Sequence, residues 1–230
     1  MWKMARKKKK DIVTPLLAIS FTLGMLLGLT VAAIWIQGYP ALQLSGDSSY
    51  TRSITIVGVD KSTGRGQLAN LSVEVRSGSG RLLIEVPPYE NEDTQQAARD
   101  ARAAASLYTG RNLNTVDIVV SIDNIGPLTT IAGPSASAAA AVLMVASINA
   151  AENRTPNIVN QGAVVTASID STGVLKIVGE VPEKYSSVRE AGNYSLFVIA
   201  KSDPRSYQYF SDLPIERAGN LAELSGLVLF

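Results

Sequence analysis

The sequence predicts an α+β (mixed α/β) domain carried behind one transmembrane helix. Residues 12–36 form an uncharged apolar run. Beyond it, runs that alternate between apolar and polar residues mix with alanine-rich stretches of helical density. The earliest strand runs are joined by tight turns and no segment repeats, which favours a mixed sheet over a doubly wound one.

The 230 residues are 46% apolar, enough for one ordinary domain with a real core plus extras. There is no Cys and no His. That removes disulfides, thiolate and imidazole metal sites, and any nucleophile that depends on a histidine base. Covalent chemistry would have to pair Ser or Thr with Lys or a carboxylate. No metal or cofactor is expected. The net charge of +1 is unevenly spread. Residues 1–11 hold Lys3, Arg6, Lys7, Lys8, Lys9 and Lys10 against Asp11, leaving 15 basic and 19 acidic groups elsewhere. A mildly acidic remainder argues against nucleic acid as a partner.

The 25 uncharged residues from Ile12 to Ile36 would make a helix of ~37 Å, enough to cross a hydrocarbon core of ~30 Å with some tilt. Pro15 falls in the first turn, where its missing N–H costs little. Trp35 and Tyr39 mark the far interface. The basic cluster ahead of the span predicts a cytoplasmic N-terminus and an extracytoplasmic domain. A cleaved signal peptide is the rival, but the run is long and ends in "IWIQGYP", a poor cleavage site. The sequons at Asn70, Asn153 and Asn193 are compatible with an external domain. The chain therefore divides into a basic tail (1–11), an anchor (12–36), a polar linker (37–51) and a domain (52–230).

Within the domain, "SITIVGVD" (53–60) alternates like a half-buried strand and "STGRGQ" reads as a turn. "ANLSVEVRSG" and "RLLIEVPP" read as a hairpin about the "GSG" at 78–80. Residues 91–110 read as a helix stopped by Gly110, and "TVDIVVSI" (115–122) as a strand buried on both faces. A loop with Gly-Pro turns leads to an alanine-rich helix from about Ser135 to Glu152. "GAVVTASID" and "GVLKIVG" follow as strands joined at "STG". "VPEKYSSVREAG" (181–192) has Pro182 in the first turn of a helix and Gly192 after it. "SLFVIA" and "DLPIERA" read as strands, and "NLAELSGLVLF" as a closing helix.

Two blocks carry chemistry. The first, "GPSASAAAAVLMVASINA", sets Ser135 on a Gly-Pro turn ahead of a small-residue helix. The second, "VVTASIDSTGVLKIVGEVPEKYSSVREAGNYSLFVIAKSD", spaces Thr166, Gly173, Gly179, Lys184, Ala191 and Gly192 without a gap. Together they resemble the proteolytic domain of the Lon protease family, over roughly residues 53–230. With its anchor and without an ATPase module, the chain resembles the membrane-anchored archaeal Lon-like proteases. The resemblance implies a Lon-like fold and a serine peptidase with a Ser–Lys dyad: Ser135 as nucleophile, Lys184 as general base, and Thr166 as the hydroxyl that orients the amine. It implies peptides or unfolded segments as substrates, and a hexamer, although the motor that usually enforces the ring is missing. Two positions depart from the pattern: Ala167 and Glu180 stand where the family has glycine.

The residues themselves suit that chemistry. Lysine near its ordinary pKa of ~10.4 is no base at neutral pH, but burial and a helix N-terminus both disfavour the ammonium. Lys184 lies in the first turn after Pro182. Glu183 and Glu180 would oppose the shift if either paired with it, and Glu183 is expected to point outward. The helix start at Ser135 would offer backbone donors to an oxyanion. Past the tail only Lys61, Lys176, Lys184 and Lys201 remain, and Lys176 is the nearest competitor as base. The bland alternatives are Ser135 as a helix N-cap, Lys184 as a solvated helix lysine, Thr166 as an ordinary strand residue and Ser137 as a pocket wall. Functional rivals are an inert scaffold or binding module at the envelope, and a protein that cleaves only its own linker.

Overall fold

The computed structural model describes residues 38–60, 62–85, 92–123, 134–205 and 212–230. The predicted tail and membrane span, and most of the loop ahead of Ser135, lie outside the described residues. Residues 41–230 form one compact unit. Leu42 is fully buried in it, and its N–H donates to the Asn112 carbonyl at 2.9 Å. The second half of the stretch read as a linker is thus bound to the domain, because Leu42 gives it an apolar anchor.

Strand β1 (Ser49–Asp60) turns at 62–64 into β2 (Arg65–Ser77), and the two pair antiparallel along their whole length. Then follow β3 (Leu82–Glu85), helix α1 (Glu92–Thr109), β4 (Val116–Asp123), a 3-10 turn (Pro134–Ala136) and helix α2 (Ser137–Ala151). Next come β5 (Ala163–Thr166), β6 (Ser168–Ile169), β7 (Leu175–Lys176) and helix α3 (Val181–Ala191). The chain closes with β8 (Leu196–Ala200), β9 (Ile215–Ala218) and helix α4 (Leu221–Val228). The main sheet runs β3-β4-β2-β1-β5-β8-β9, and β6 and β7 form a small separate ribbon. Within the main sheet the β1–β2 and β2–β4 pairs are antiparallel and the other pairs parallel, so the domain is mixed α/β.

The expected hairpin between β2 and β3 does not form. Strand β4 lies between them, antiparallel to β2 and parallel to β3. The parallel β3–β4 pair needs a crossover, and α1 supplies it. The 78–80 turn instead wraps the buried Asp117 of β4. One Asp117 oxygen accepts from the Ser79 and Arg81 amides at 2.9 and 3.0 Å, and the other from the Arg81 guanidinium. Backbone and side chain meet so closely that a Cβ at Gly78 would stand 2.2 Å from the Asp117 carboxyl carbon.

Helices cover both faces of the sheet. Helices α1, α2 and α4 share one core with Ile54, Leu71, Ile118, Val165 and Val198. On the other face Val181, Tyr185 and Val188 of α3 pack on Val57, Val164, Phe197 and Ile199. Helix α2 is apolar on every side, and 13 of its 15 residues are buried, which makes it the central rod of the domain. Residues 134–151, read with the preceding 3-10 turn, are the one stretch among the described residues long and apolar enough for a membrane span.

Candidate active site

Ser135 is the middle residue of the 3-10 turn and is half-buried. Helix α2 begins two residues later with Ala136 at its N-cap and no side-chain cap. The Ser135 hydroxyl therefore does not cap this helix, and it makes no hydrogen bond among the described residues. Its backbone, in contrast, is anchored. The Ala167 amide donates to the Ser135 carbonyl at 3.1 Å, and the Ala138 amide donates to the Ala167 carbonyl at 3.3 Å. Ser137, expected as a pocket wall, adds a second clasp. Its hydroxyl donates to the Pro134 carbonyl at 2.8 Å and accepts from the Ile169 amide at 3.0 Å. The turn carrying Ser135 is thus bound to the chain just past the end of β5.

Thr166 is the last residue of β5 and is 1% exposed. Strand alternation sets it on the same sheet face as Val164, the face that α3 covers. Its Oγ1 is buried with no hydrogen-bond partner. An unpaired buried hydroxyl costs free energy, so such groups are uncommon and call for a reason.

Lys184 stands on the inner stripe of α3, spaced as i, i+3, i+4 and i+7 with Val181, Tyr185 and Val188. It is 3% exposed. Burial is the largest influence on its amine and pushes the pKa below the ordinary lysine value. Glu180 pulls it back up, Arg205 pushes it down, and Glu183 pulls it up more weakly. Glu180 and Glu183 are both exposed, and neither forms a salt bridge with Lys184. Close packing seats the helix. A Cβ on Gly66 of β2 would meet the Ser187 hydroxyl at 2.6 Å and the Glu183 carbonyl at 2.9 Å. Lys176, the competitor, is half-exposed and held by Asp170 at 3.0 Å, so it lacks the apolar enclosure a lysine base needs.

The fold brings Ser135 and Thr166 to the same strand end and sets Thr166 and Lys184 on the same side of the sheet. No hydrogen bond joins Ser135 to Lys184, or Thr166 to Lys184, among the described residues. One interaction at the site has no local signal in the sequence. Arg205 binds the buried Asp203 through Nε and Nη2, at 2.8 and 2.6 Å, and Nη2 also donates to the Val178 carbonyl at 2.9 Å. It thereby fastens the segment that leads into α3. Glu180, the N-cap of α3, is left-handed at φ +58°. Its signal was present in the sequence, because it occupies a position where the resembled pattern has glycine.

No protein-family model matches the sequence, and no characterised protein matches it either.

Proposed function

We propose that this chain is a membrane-anchored, ATP-independent serine endopeptidase working through a Ser135–Lys184 dyad, with Thr166 orienting the amine. The observation that carries the reading is a buried lysine with no salt bridge among the described residues, on the helix that packs on the same sheet face as Thr166, next to which the Ser135 turn is bound. A neutral Lys184 Nζ takes the Ser135 hydroxyl proton as Oγ attacks a peptide carbonyl carbon. The resulting ammonium returns that proton to the departing amine, leaving an acyl-enzyme. Water then repeats the cycle, with Lys184 again as base, and frees the acid product. The positive end of α2 lies beside the developing oxyanion. The anchor at 12–36 keeps the N-terminus in the cytoplasm and the domain outside. Without a motor, the substrates are peptides and already unfolded segments. The resemblance also favours a six-membered ring.

An inert envelope scaffold of the same fold is the second reading, favoured by the lack of a hydrogen bond between Ser135 and Lys184. Catalytic bonds are often long before substrate binds, so this does not displace the first. Full-length protein in detergent, treated with a fluorophosphonate, separates the two. The expected result is a covalent adduct on Ser135, absent in Ser135→Ala and slowed by ~100-fold or more in Lys184→Met. Equal hydrolysis by wild type and both variants would sink the dyad. A folded wild type that never reacts and never cleaves would favour the scaffold.

A further inference from the structure

The chain enters the folded unit at a defined place. Ala41 pairs with Asn112, just past the end of α1, and the Leu42 N–H donates to the Asn112 carbonyl at 2.9 Å. Only residues 37–40 separate Ala41 from Ile36, where the apolar run ends. Those few extended steps reach no more than ~18 Å. An anchor at 12–36 would therefore keep this end of the domain close to the lipid surface.

The same end is apolar where it meets solvent. Arg111 Nε donates to Glu152 at 2.6 Å and so ties the end of α1 to the end of α2. The Asn149 side chain of α2 donates to the Pro156 carbonyl at 2.8 Å, and the Asn157 and Ile158 amides donate to the Phe230 carbonyl at 3.0 and 3.1 Å. Around this cluster Leu107, Tyr108, Ile158 and Phe230 are 44 to 66% exposed. Large apolar groups gathered at one exposed end mark a contact surface, and aromatic rings suit the boundary between lipid and water. Arg52 donates to the Asn157 carbonyl at 2.8 Å, and Arg111 and Arg154 share Glu152. With Asp47 counted, arginines still outnumber carboxylates here, which favours phosphate headgroups.

We infer that this end of the domain rests on the bilayer surface, with Leu107, Tyr108, Ile158 and Phe230 entering the headgroup region. The inference rests on the anchor in the reading above and is independent of the dyad. Helix α2 sets the consequence. Its 15 residues span ~22 Å between the docked end and the turn that carries Ser135. The candidate nucleophile is then at the end of the domain away from the lipid. Its substrates are segments that arrive from the aqueous side, rather than stretches still embedded in the membrane.

Single-cysteine labelling tests this, because the chain has no cysteine of its own. Full-length Tyr108→Cys, Ile158→Cys and Thr63→Cys, each at an exposed position, carry a polarity-sensitive nitrobenzoxadiazole probe in vesicles of phosphatidylcholine and phosphatidylglycerol. Thr63 lies in the turn after β1, which runs parallel to β5 and so ends on the Ser135 side. Emission from positions 108 and 158 should be blue-shifted and quenched by lipid carrying a nitroxide near the headgroup, and emission from 63 should be neither. Leu107→Glu combined with Phe230→Glu should abolish the quenching at 158 while the protein still floats with the vesicles. If the protein floats but 108 and 158 stay unquenched, or 63 is quenched as strongly, the docking is overturned and the anchor stands. A blue shift without nitroxide quenching identifies a second copy of the chain over the patch and overturns the docking too. Protein that does not float with the vesicles refutes the anchor and the docking together.

Discussion

The Ala167 amide donates to the Ser135 carbonyl at 3.1 Å, joining two residues 32 positions apart in the chain. The Ala138 amide answers with a bond to the Ala167 carbonyl at 3.3 Å. Ala167 immediately follows Thr166, so the two predicted site blocks meet at one strand end. Backbone bonds hold the candidate nucleophile there, and its hydroxyl makes no hydrogen bond among the described residues. That arrangement is the frame on which the following expectations rest.

Lys184 should leave a signature in stability as well as in activity. Its folded pKa is lowered, chiefly by burial. Between that value and the unfolded value of ~10.4, the unfolded chain binds more protons than the folded one. Stability should therefore rise with pH through that alkaline window and level off above it. Lys184→Met removes the titrating amine at similar volume. Thermal unfolding across the alkaline range should show a rising Tm for the wild type and a flatter profile for the variant. Matching profiles would mean the amine is not depressed.

Glu180→Gly should act on two properties at once. The residue holds φ +58°, which a side chain resists and glycine accepts. It is also the largest influence raising the Lys184 pKa. Relief of the strain, less the entropy of the added glycine, should stabilise the domain by about 0.5–1 kcal/mol in denaturant titration. The acid limb of kcat/KM should move to lower pH, since more Lys184 is neutral there. Arg205→Gln should move the limb the other way, because that guanidinium disfavours the Lys184 ammonium. Shifts in the opposite directions would rule out this electrostatic account.

Thr166→Val separates fold from function. The hydroxyl is buried and unpaired, so replacing it with a methyl should be neutral or stabilising by up to ~1 kcal/mol. If the hydroxyl orients the Lys184 amine, kcat should fall by about tenfold or more all the same. Equilibrium unfolding and peptide hydrolysis on the same preparation decide it. Full activity in a stable Thr166→Val protein would reduce the residue to an ordinary strand threonine.

Ser137→Ala should cost more than a surface serine. It strips the Ile169 amide of its acceptor in the interior, at about 1–3 kcal/mol. It also loosens the Pro134 end of the turn that carries Ser135. Phosphonate labelling should slow while remaining on Ser135. Unchanged stability would show that another group takes over the Ile169 amide.

Much of this was readable in the chain, for local reasons. The alternation of "SITIVGVD" and the alanine spacing of 91–110 announce β1 and α1 because the periods of strand and helix appear directly in the residue order. Pro182 and Gly192 bracket α3 for the same reason, each suited to one end of a helix. The Gly-rich turn at 78–80 reads as a hairpin because a turn between two strand runs carries no information about a third strand inserted from further along. Asp117, nearly forty residues away, is what the turn actually wraps. The N-cap reading of Ser135 failed on a two-residue offset, since the 3-10 turn delays the start of α2 to Ser137.

The sequence by itself determined the element types, the apolar and charged segments, the absence of imidazole and thiol, and which hydroxyls and lysines were available for chemistry. These follow from composition and short-range periodicity, which each stretch carries alone. Tertiary structure alone decided the strand order, the burial of Lys184 beside the exposed Lys176, the unpaired state of Thr166 and the bond between Ser135 and Ala167. Those depend on which distant segments share a face of the sheet, and desolvation and hydrogen bonding exist only once those segments have packed.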